Sequence, residues 1–195
     1  MKILLIRHGQ TQPNIERTYS GWNDIPLNKT GIKQAKKVAK FLQGLSVDKI
    51  YCSDLKRCRQ FAGIAFKGSA IETYKELREI NFGAFEGLSH EEIMESFPEQ
   101  YIAWLKDPLN KKIPKGEDVK NVMKRTIGFL KKITKTAGHS TIAIVSHSGP
   151  IKSILAYLKR TKNFWKIDVN NASITVLEMK NRQFKIIKEN NTSFL

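Results

Sequence analysis

The hydrophobic positions follow two different periods. Apolar runs at Lys2–Ile6 (KILLI) and Thr141–Ser146 (TIAIVS) predict buried strands, and Val47–Cys52 reads as a second short strand. Ile71–Thr73 is a shorter strand candidate. Between the runs a helical period takes over. Ile32, Ala35, Ala39 and Leu42 share one face of a helix predicted from Gly31 to about Leu42, with Thr30 as its cap. Ser53 or Asp54 is placed to cap a second helix, reaching about Phe66. Glu117 to about Thr136 predicts a long helix, and Pro150, suited to a first helical turn, opens another that runs to Leu158. Ser173–Met179 and Gln183–Lys188 read as an antiparallel pair.

Two stretches lack either period. Residues 9–29 hold Pro13, Gly21 and Pro26 and predict a long loop, of a length that in compact domains usually serves function. Residues 83–118 contain a helix after Ser89, then Pro98, Pro108 and Pro114, and predict an inserted lid. Strands alternating with helices place the chain in the α/β class. The expected architecture is a three-layer α/β/α sandwich with a mostly parallel mixed sheet, a C-terminal antiparallel strand pair and one domain over residues 1–195.

Composition narrows the function classes. With 195 residues and 41% hydrophobic positions, the chain can bury one full core. No apolar run approaches the ~18–20 residues needed to cross a bilayer, and the start lacks the h-region of a signal peptide. Two cysteines, Cys52 and Cys58, exclude a disulfide scaffold and a four-cysteine zinc site, which makes a reduced cytoplasm the expected compartment. The net charge of +16 invites a nucleic-acid reading. It comes mostly from lysines spread along the chain, with no dense basic tract interleaved with aromatics, so a solvated basic surface is the simpler account.

Familiar phosphate signatures fail one by one. Gly63 and Gly68 have P-loop spacing, but Ser69 stands where lysine is required. A cysteine phosphatase needs arginine six positions after its cysteine; Cys58 follows Cys52 at that offset, and Ile64 follows Cys58. No His or Cys spacing suggests a metal site. What survives is a matched pair: Arg7–His8–Gly9 directly after the first strand, and Ser146–His147–Ser148–Gly149 at the end of the TIAIVS strand. The carboxyl ends of strands are where open α/β sheets bind ligands. His90 and His139, in polar segments, read as surface residues.

These residues carry a resemblance. Leu5–Ile6–Arg7–His8–Gly9–Gln10–Thr11 with Asn14, Ser20–Gly21–Trp22, Ser53 with Leu55 and Arg57, Leu77 and Glu79 with Phe82–Gly83, Glu86–Gly87, Gly116–Glu117 with Arg125, and Val145–Ser146–His147 follow one another in the order of the histidine phosphatase superfamily. The chain resembles the branch shared by cofactor-dependent phosphoglycerate mutases and small bacterial phosphatases, over nearly its whole length. The resemblance implies a phosphoglycerate mutase-like fold and a metal-independent phosphatase of small phosphomonoesters, with α-ribazole 5′-phosphate or phosphoserine as candidate substrates. It also implies that His8 becomes phosphorylated, that Arg7 and Arg57 clamp the phosphoryl oxygens, and that His147 bonds a non-bridging oxygen. Glu79 would be the acid that then turns base, with Glu76 and Glu86 as nearby competitors, while Arg59 would be a surface residue. Asn14, Ser20, the backbone of Gly21 and Ser148 would bind substrate; for Ser148 a helix-capping role is an equal alternative. Neither metal nor cofactor is expected. The expected partner is a small phosphorylated metabolite, without nucleic acid or membrane, and a homodimer is the candidate assembly. Ser148 departs from the Gly–Gly common after the second histidine, and the lid and C-terminal part are shorter than those of glycolytic mutases. Mutase activity is therefore the alternative within this chemistry, and a non-catalytic or nucleic-acid-binding protein the alternative outside it.

Overall fold

The computed structural model describes residues 1–136 and 140–195. His139 lies outside the described residues. Six strands form one sheet: β1 (Lys2–Arg7), β2 (Lys49–Ser53), β3 (Glu72–Tyr74), β4 (Thr141–Ser146), β5 (Ile174–Lys180) and β6 (Gln183–Asn191), in the spatial order β3-β2-β4-β1-β5-β6. The first four of that order run parallel; β5 is antiparallel to β1, and β6 to β5. The helices are α1 (Gln12–Glu16), α2 (Lys29–Phe41), α3 (Lys56–Ala65), α4 (His90–Ser96), α5 (Pro98–Lys106), α6 (Val119–Thr136) and α7 (Ser148–Lys159). Among the described residues no helix is long and apolar enough to cross a membrane.

The continuous apolar runs of β1 and β4 are explained by burial on both sides. Leu4, Ile6, Ala143 and Val145 face one layer, where Val38 of α2 and Phe61 of α3 pack. Ile3, Leu5, Ile142 and Ile144 face the other, against Phe129 and Leu130 of α6 and Ile151 and Leu155 of α7. Each such side chain contributes ~1.5–3 kcal/mol relative to exposure, so alternate residues of a single strand bind both helical layers. The edges are blunted: β3 has three residues, and β6 is largely exposed and carries Lys185 and Lys188.

Several local expectations need correction. Asn28, not Thr30, caps α2, accepting the Gly31 N–H at 2.8 Å. Leu55 occupies the N-cap position of α3, so neither Ser53 nor Asp54 caps it; the Lys56 N–H instead reaches Asp24 Oδ1 in the preceding loop at 2.5 Å. The loop over 9–29 contains the short helix α1, and α7 starts at Ser148, two residues before Pro150. The segment 83–118 has its own buried cluster, including Phe85, Ile93, Tyr101, Trp104 and Ile113, which packs onto Val119 and Val122 of α6 and onto Phe164. Its second helix, α5, begins at Pro98, a residue pre-set for a first helical turn.

The β5–β6 connection has only two residues, Asn181 and Arg182, both at positive φ (51° and 62°). A type I′ hairpin needs positive φ at both positions and favours Asn-Gly. Asn181 suits this conformation, but Arg182 does not. Arg182→Gly is expected to stabilise the fold by about 0.5–1 kcal/mol, because relief of left-handed strain exceeds the added unfolded-state entropy. For a chain of this size that is about 1–4 °C in Tm, readable by calorimetry. An unchanged or lower Tm would show that the turn is unstrained.

Candidate active site

Strand register places the two histidines side by side. Arg7 on β1 pairs with Ser146 on β4, so His8 and His147 each lie one residue past a matched strand end. The His8 N–H donates to the Ser146 carbonyl at 3.0 Å, and the two rings meet edge to face with centroids 5.0 Å apart. His8 Nδ1 lies 2.7 Å from the Gly9 carbonyl. A carbonyl only accepts, so Nδ1 carries the proton and Nε2 keeps its lone pair. Burial, followed by the Arg57 and Arg7 charges, holds the His8 imidazole well below its usual pKa, so the ring stays neutral at physiological pH. The loop behind it is tightly packed: a Cβ on Gly9 would stand 2.6 Å from the Gly31 carbonyl oxygen, at the start of α2.

A cavity of about 180 Å³ opens in front of His8, lined by Arg7, Thr11, Asn14, Thr18, Tyr19, Ser20, Arg57, Glu79, Phe82 and Ser148. Arg57 projects from the first turn of α3 and is 1% exposed. Its Nε donates to His147 Nδ1 at 3.2 Å, and its terminal nitrogens donate to the Asn23 carbonyl at 2.9 Å and the Gly21 carbonyl at 2.6 Å. Arg7 donates from Nη1 to the Val169 carbonyl at 2.7 Å, while its buried Nε has no partner. Both guanidinium groups are thus held by neutral carbonyls and keep unspent positive charge beside the cavity.

Glu79 is buried, with Oε1 accepting the Ile80 N–H and the Gly149 N–H, each at 2.9 Å. The second bond ties it to the first turn of α7. Burial raises the Glu79 pKa, and the two N–H donors and both arginines only partly oppose that. The carboxyl therefore holds a proton to higher pH than an ordinary glutamate. Gly149 is needed for this approach, since a Cβ there would fall 2.3 Å from Glu79 Oε1 and 2.7 Å from the Ile80 side chain. Arg125 sets the strand of chain below: it donates to the carbonyls of Glu76, Arg78 and Glu79 while pairing with Glu117 at 3.0 Å. The Trp22 indole N–H adds a further bond to the Glu79 carbonyl at 3.0 Å.

Of the sequence-predicted residues, His8, Arg7, Arg57, Glu79, Asn14, Ser20 and Ser148 meet at this one cavity. Asn14 Oδ1 accepts from the Thr11 N–H, the Thr11 hydroxyl and Asn171 Nδ2, which orients its amide and leaves its own Nδ2 donors for the cavity. The buried Ser20 hydroxyl has no partner. Ser148 is the first residue of α7, behind the His147 N-cap, so its side chain does not cap the helix. His147 is different: it is fully buried behind Arg57, with Nδ1 facing Arg57 Nε and Nε2 2.8 Å from the Ser53 hydroxyl. Gly21 also stands back, its N–H bound to Glu86 Oε2 at 2.9 Å and its carbonyl bound to Arg57. Glu86 accepts three backbone N–H groups, from Gly21, Trp22 and Phe82, and like Glu76 lies off the cavity. Arg59 is exposed beside Asp24, and His90 is exposed with Nδ1 near the Tyr101 hydroxyl. Sequence reasoning missed Thr11, Thr18, Tyr19 and Phe82 as cavity walls, Asn171 as a partner of Asn14, and the clamp formed by Arg125 with Glu117. Thr11, Phe82, Glu117 and Arg125 belonged to the resemblance without a role; Asn171 had no signal at all.

A pair of strand-end histidines, two arginines and one buried carboxyl are the groups that phosphoryl transfer through an imidazole would use. The model of the histidine phosphatase superfamily (branch 1) matches residues 3–192. Phosphoserine phosphatase 1 of Hydrogenobacter thermophilus is 34% identical over all of this chain and 94% of its own. The adenosylcobalamin/α-ribazole phosphatase of Escherichia coli is 29% identical over 96% of this chain and 94% of its own. Among solved structures, YhfR of Bacillus stearothermophilus superposes with a TM-score of 0.94 at 29% identity, covering 99% of this chain and 98% of its own. The chain belongs to the histidine phosphatase superfamily, with the phosphoglycerate mutase-like fold. The phosphatases among its relatives favour hydrolysis of phosphate esters over the mutase alternative.

Gly149→Ala is expected to push the Glu79 carboxyl out of place while leaving His8 and both arginines intact. Phosphatase kcat should fall by about a hundredfold, the scale on which small misplacements act. Steady-state phosphate release, with circular dichroism as the folding control, checks this. Full activity in a folded variant would mean that the contact with α7 does not hold Glu79.

Proposed function

We propose that this protein is a metal-independent phosphatase that hydrolyses a small phosphomonoester through a phosphohistidine on His8. The observation that carries this reading is the His8–Gly9 hydrogen bond. It fixes the proton on Nδ1 and presents a bare Nε2 to a cavity that also holds two incompletely satisfied guanidinium groups and a carboxyl of raised pKa.

In the first half-reaction His8 Nε2 bonds to phosphorus as the ester P–O bond breaks. Glu79 delivers its proton to the departing alkoxide. In the second, the Glu79 carboxylate takes a proton from water, whose oxygen bonds to phosphorus as the N–P bond breaks, returning neutral His8 and inorganic phosphate. Arg7 and Arg57 hold the non-bridging oxygens through both steps and supply the positive charge. Asn14, Ser20 and Ser148 add neutral donors around the phosphoryl group. His147 orients Arg57 in the tautomer that accepts from its Nε. A bond from His147 to a non-bridging oxygen, the role the resemblance implies, would have to replace the one it makes to Arg57. Among the described residues no group of three or more His, Cys, Asp or Glu is arranged to hold a metal ion. Phosphoserine and α-ribazole 5′-phosphate are the candidate substrates, because the relatives bear those names.

Two experiments test the assignment. Wild-type enzyme quenched during turnover should carry acid-labile, base-stable phosphate, and His8→Ala should carry none and turn over no substrate. Labelling that survives in His8→Ala would exclude this nucleophile. Glu79→Gln should slow the first half-reaction of an alkyl phosphate by ~10²–10⁴-fold, the range of general acid catalysis. With p-nitrophenyl phosphate, whose leaving group hardly needs a proton, the loss should be much smaller. The wild-type kcat/KM for the alkyl ester should fall on the alkaline side as Glu79 loses its proton, above the ordinary carboxyl range, and on the acid side only below the usual histidine pKa. Glu79→Gln should abolish the alkaline limb. Equal losses with both esters and an unchanged pH profile would assign the acid elsewhere.

A further inference from the structure

Resting on the phosphatase reading, we propose that Lys152 binds a carboxylate on the leaving group, so that the substrate is a phosphomonoester of a small hydroxy acid. Ser148 lines the cavity, and Lys152 follows it by four residues, one turn on along the same face of α7. Between and beyond them, Gly149–Ile151 and Ser153–Ala156 are buried, so Ser148 and Lys152 are the two positions of this stretch that reach the surface. Helical side chains lean towards the N-terminus of their helix, which carries the Lys152 stem over Ser148 and towards the cavity.

The far end of Lys152 is placed by aromatic rings. Its Nζ lies 5.8 Å from the Phe164 centroid and 5.9 Å from that of Trp165. Trp165 is fixed to the 83–118 segment, with its indole N–H on the Leu105 carbonyl at 3.1 Å and its ring against Trp104 at 4.9 Å. Trp104 in turn contacts Tyr19 and Phe82, two walls of the cavity. The ammonium thus stands between α7 and the aromatic wall, one helical turn from Ser148 and near enough to Glu79 and Arg7 for their charges to act on it.

Its electrostatic surroundings lack a partner. Among the described residues Lys152 makes no hydrogen bond or ion pair; Glu79, Arg7 and exposed Asp168 act on it only through space. Half-buried and resting on ring faces, the ammonium has given up part of its hydration without a carboxylate in return. Glu79 is committed to Ile80 and Gly149. A negative group on the ligand completes the set. A neutral or cationic leaving group gains nothing from this lysine.

O-phosphoserine and phosphoethanolamine differ only by a carboxylate, so the ratio of their kcat/KM values isolates its contribution. Both are measured on the same preparation, which cancels any difference in folded fraction. Wild type is expected to prefer O-phosphoserine by about ten- to a hundredfold, the scale of a charge-assisted hydrogen bond. Lys152→Met should remove most of that preference, Lys152→Arg should keep it, and Lys152→Glu should favour phosphoethanolamine. 3-Phosphoglycerate, which has the carboxylate without the amine, should follow O-phosphoserine through the series. A wild-type ratio near one, or a ratio that Lys152→Met and Lys152→Glu leave unmoved, overturns the inference while leaving the phosphatase reading in place. Failure of wild type to release phosphate from any ester, p-nitrophenyl phosphate included, overturns both.

Discussion

The site is built on a buried cation without a bonded counter-ion. Arg57 is 1% exposed, yet its guanidinium is met by three backbone carbonyls, those of Ser20, Gly21 and Asn23, and an imidazole, not by a carboxylate. Burying a charge in this way costs several kcal/mol unless its donors are satisfied. The carbonyls of Gly21 and Asn23 satisfy some of them and orient the rest, which ties the 20–24 loop to α3. Asp24 returns the contact by accepting the Lys56 N–H at the start of that same helix. Loop, helix and guanidinium therefore hold one another in place beside the cavity.

The fold was legible where periodicity was strong. The KILLI and TIAIVS runs became the two central strands, and the long lysine-flanked helix appeared as α6 within two residues of its expected start. The errors cluster at helix caps beside the site, and they share a cause. Ser53 and Asp54 look like N-caps, but Ser53 supports the His147 ring and Asp54 forms a bidentate pair with Arg78, at 2.7 Å for both bonds. Local rules assign a polar side chain to its own backbone, whereas near an active site the competing partner comes from a distant part of the chain. Asn28 displaced Thr30 for a related reason: the capped end of α2 must sit against the His8–Gln10 turn, where Gly31 and Gly9 touch backbone to backbone.

The candidate site was legible through types of residue more than through their tasks. Glu76, Glu79 and Glu86 are close in sequence, and the ordered motif singled out Glu79. Only the structure separates them physically: Glu79 faces the cavity, Glu76 is exposed, and Glu86 closes a turn by collecting three N–H groups. Gly21 changes in the same way, from an expected substrate contact to the carbonyl that anchors Arg57. Lys152 had no motif to mark it. One lysine among many on a basic chain becomes distinctive only when the rings beneath it are known.

The unpartnered donors, Arg7 Nε and the Ser20 hydroxyl, have a consequence for how the protein works in a cell. In the proposed reaction they meet the phosphoryl group and not the ester link, so orthophosphate would suit them as well as the substrate does. A site pre-charged in this manner would retain its own product. Throughput would then depend on the ambient phosphate level as well as on the supply of ester, making such a catalyst self-limiting when phosphate is plentiful and quick to respond when it is scarce.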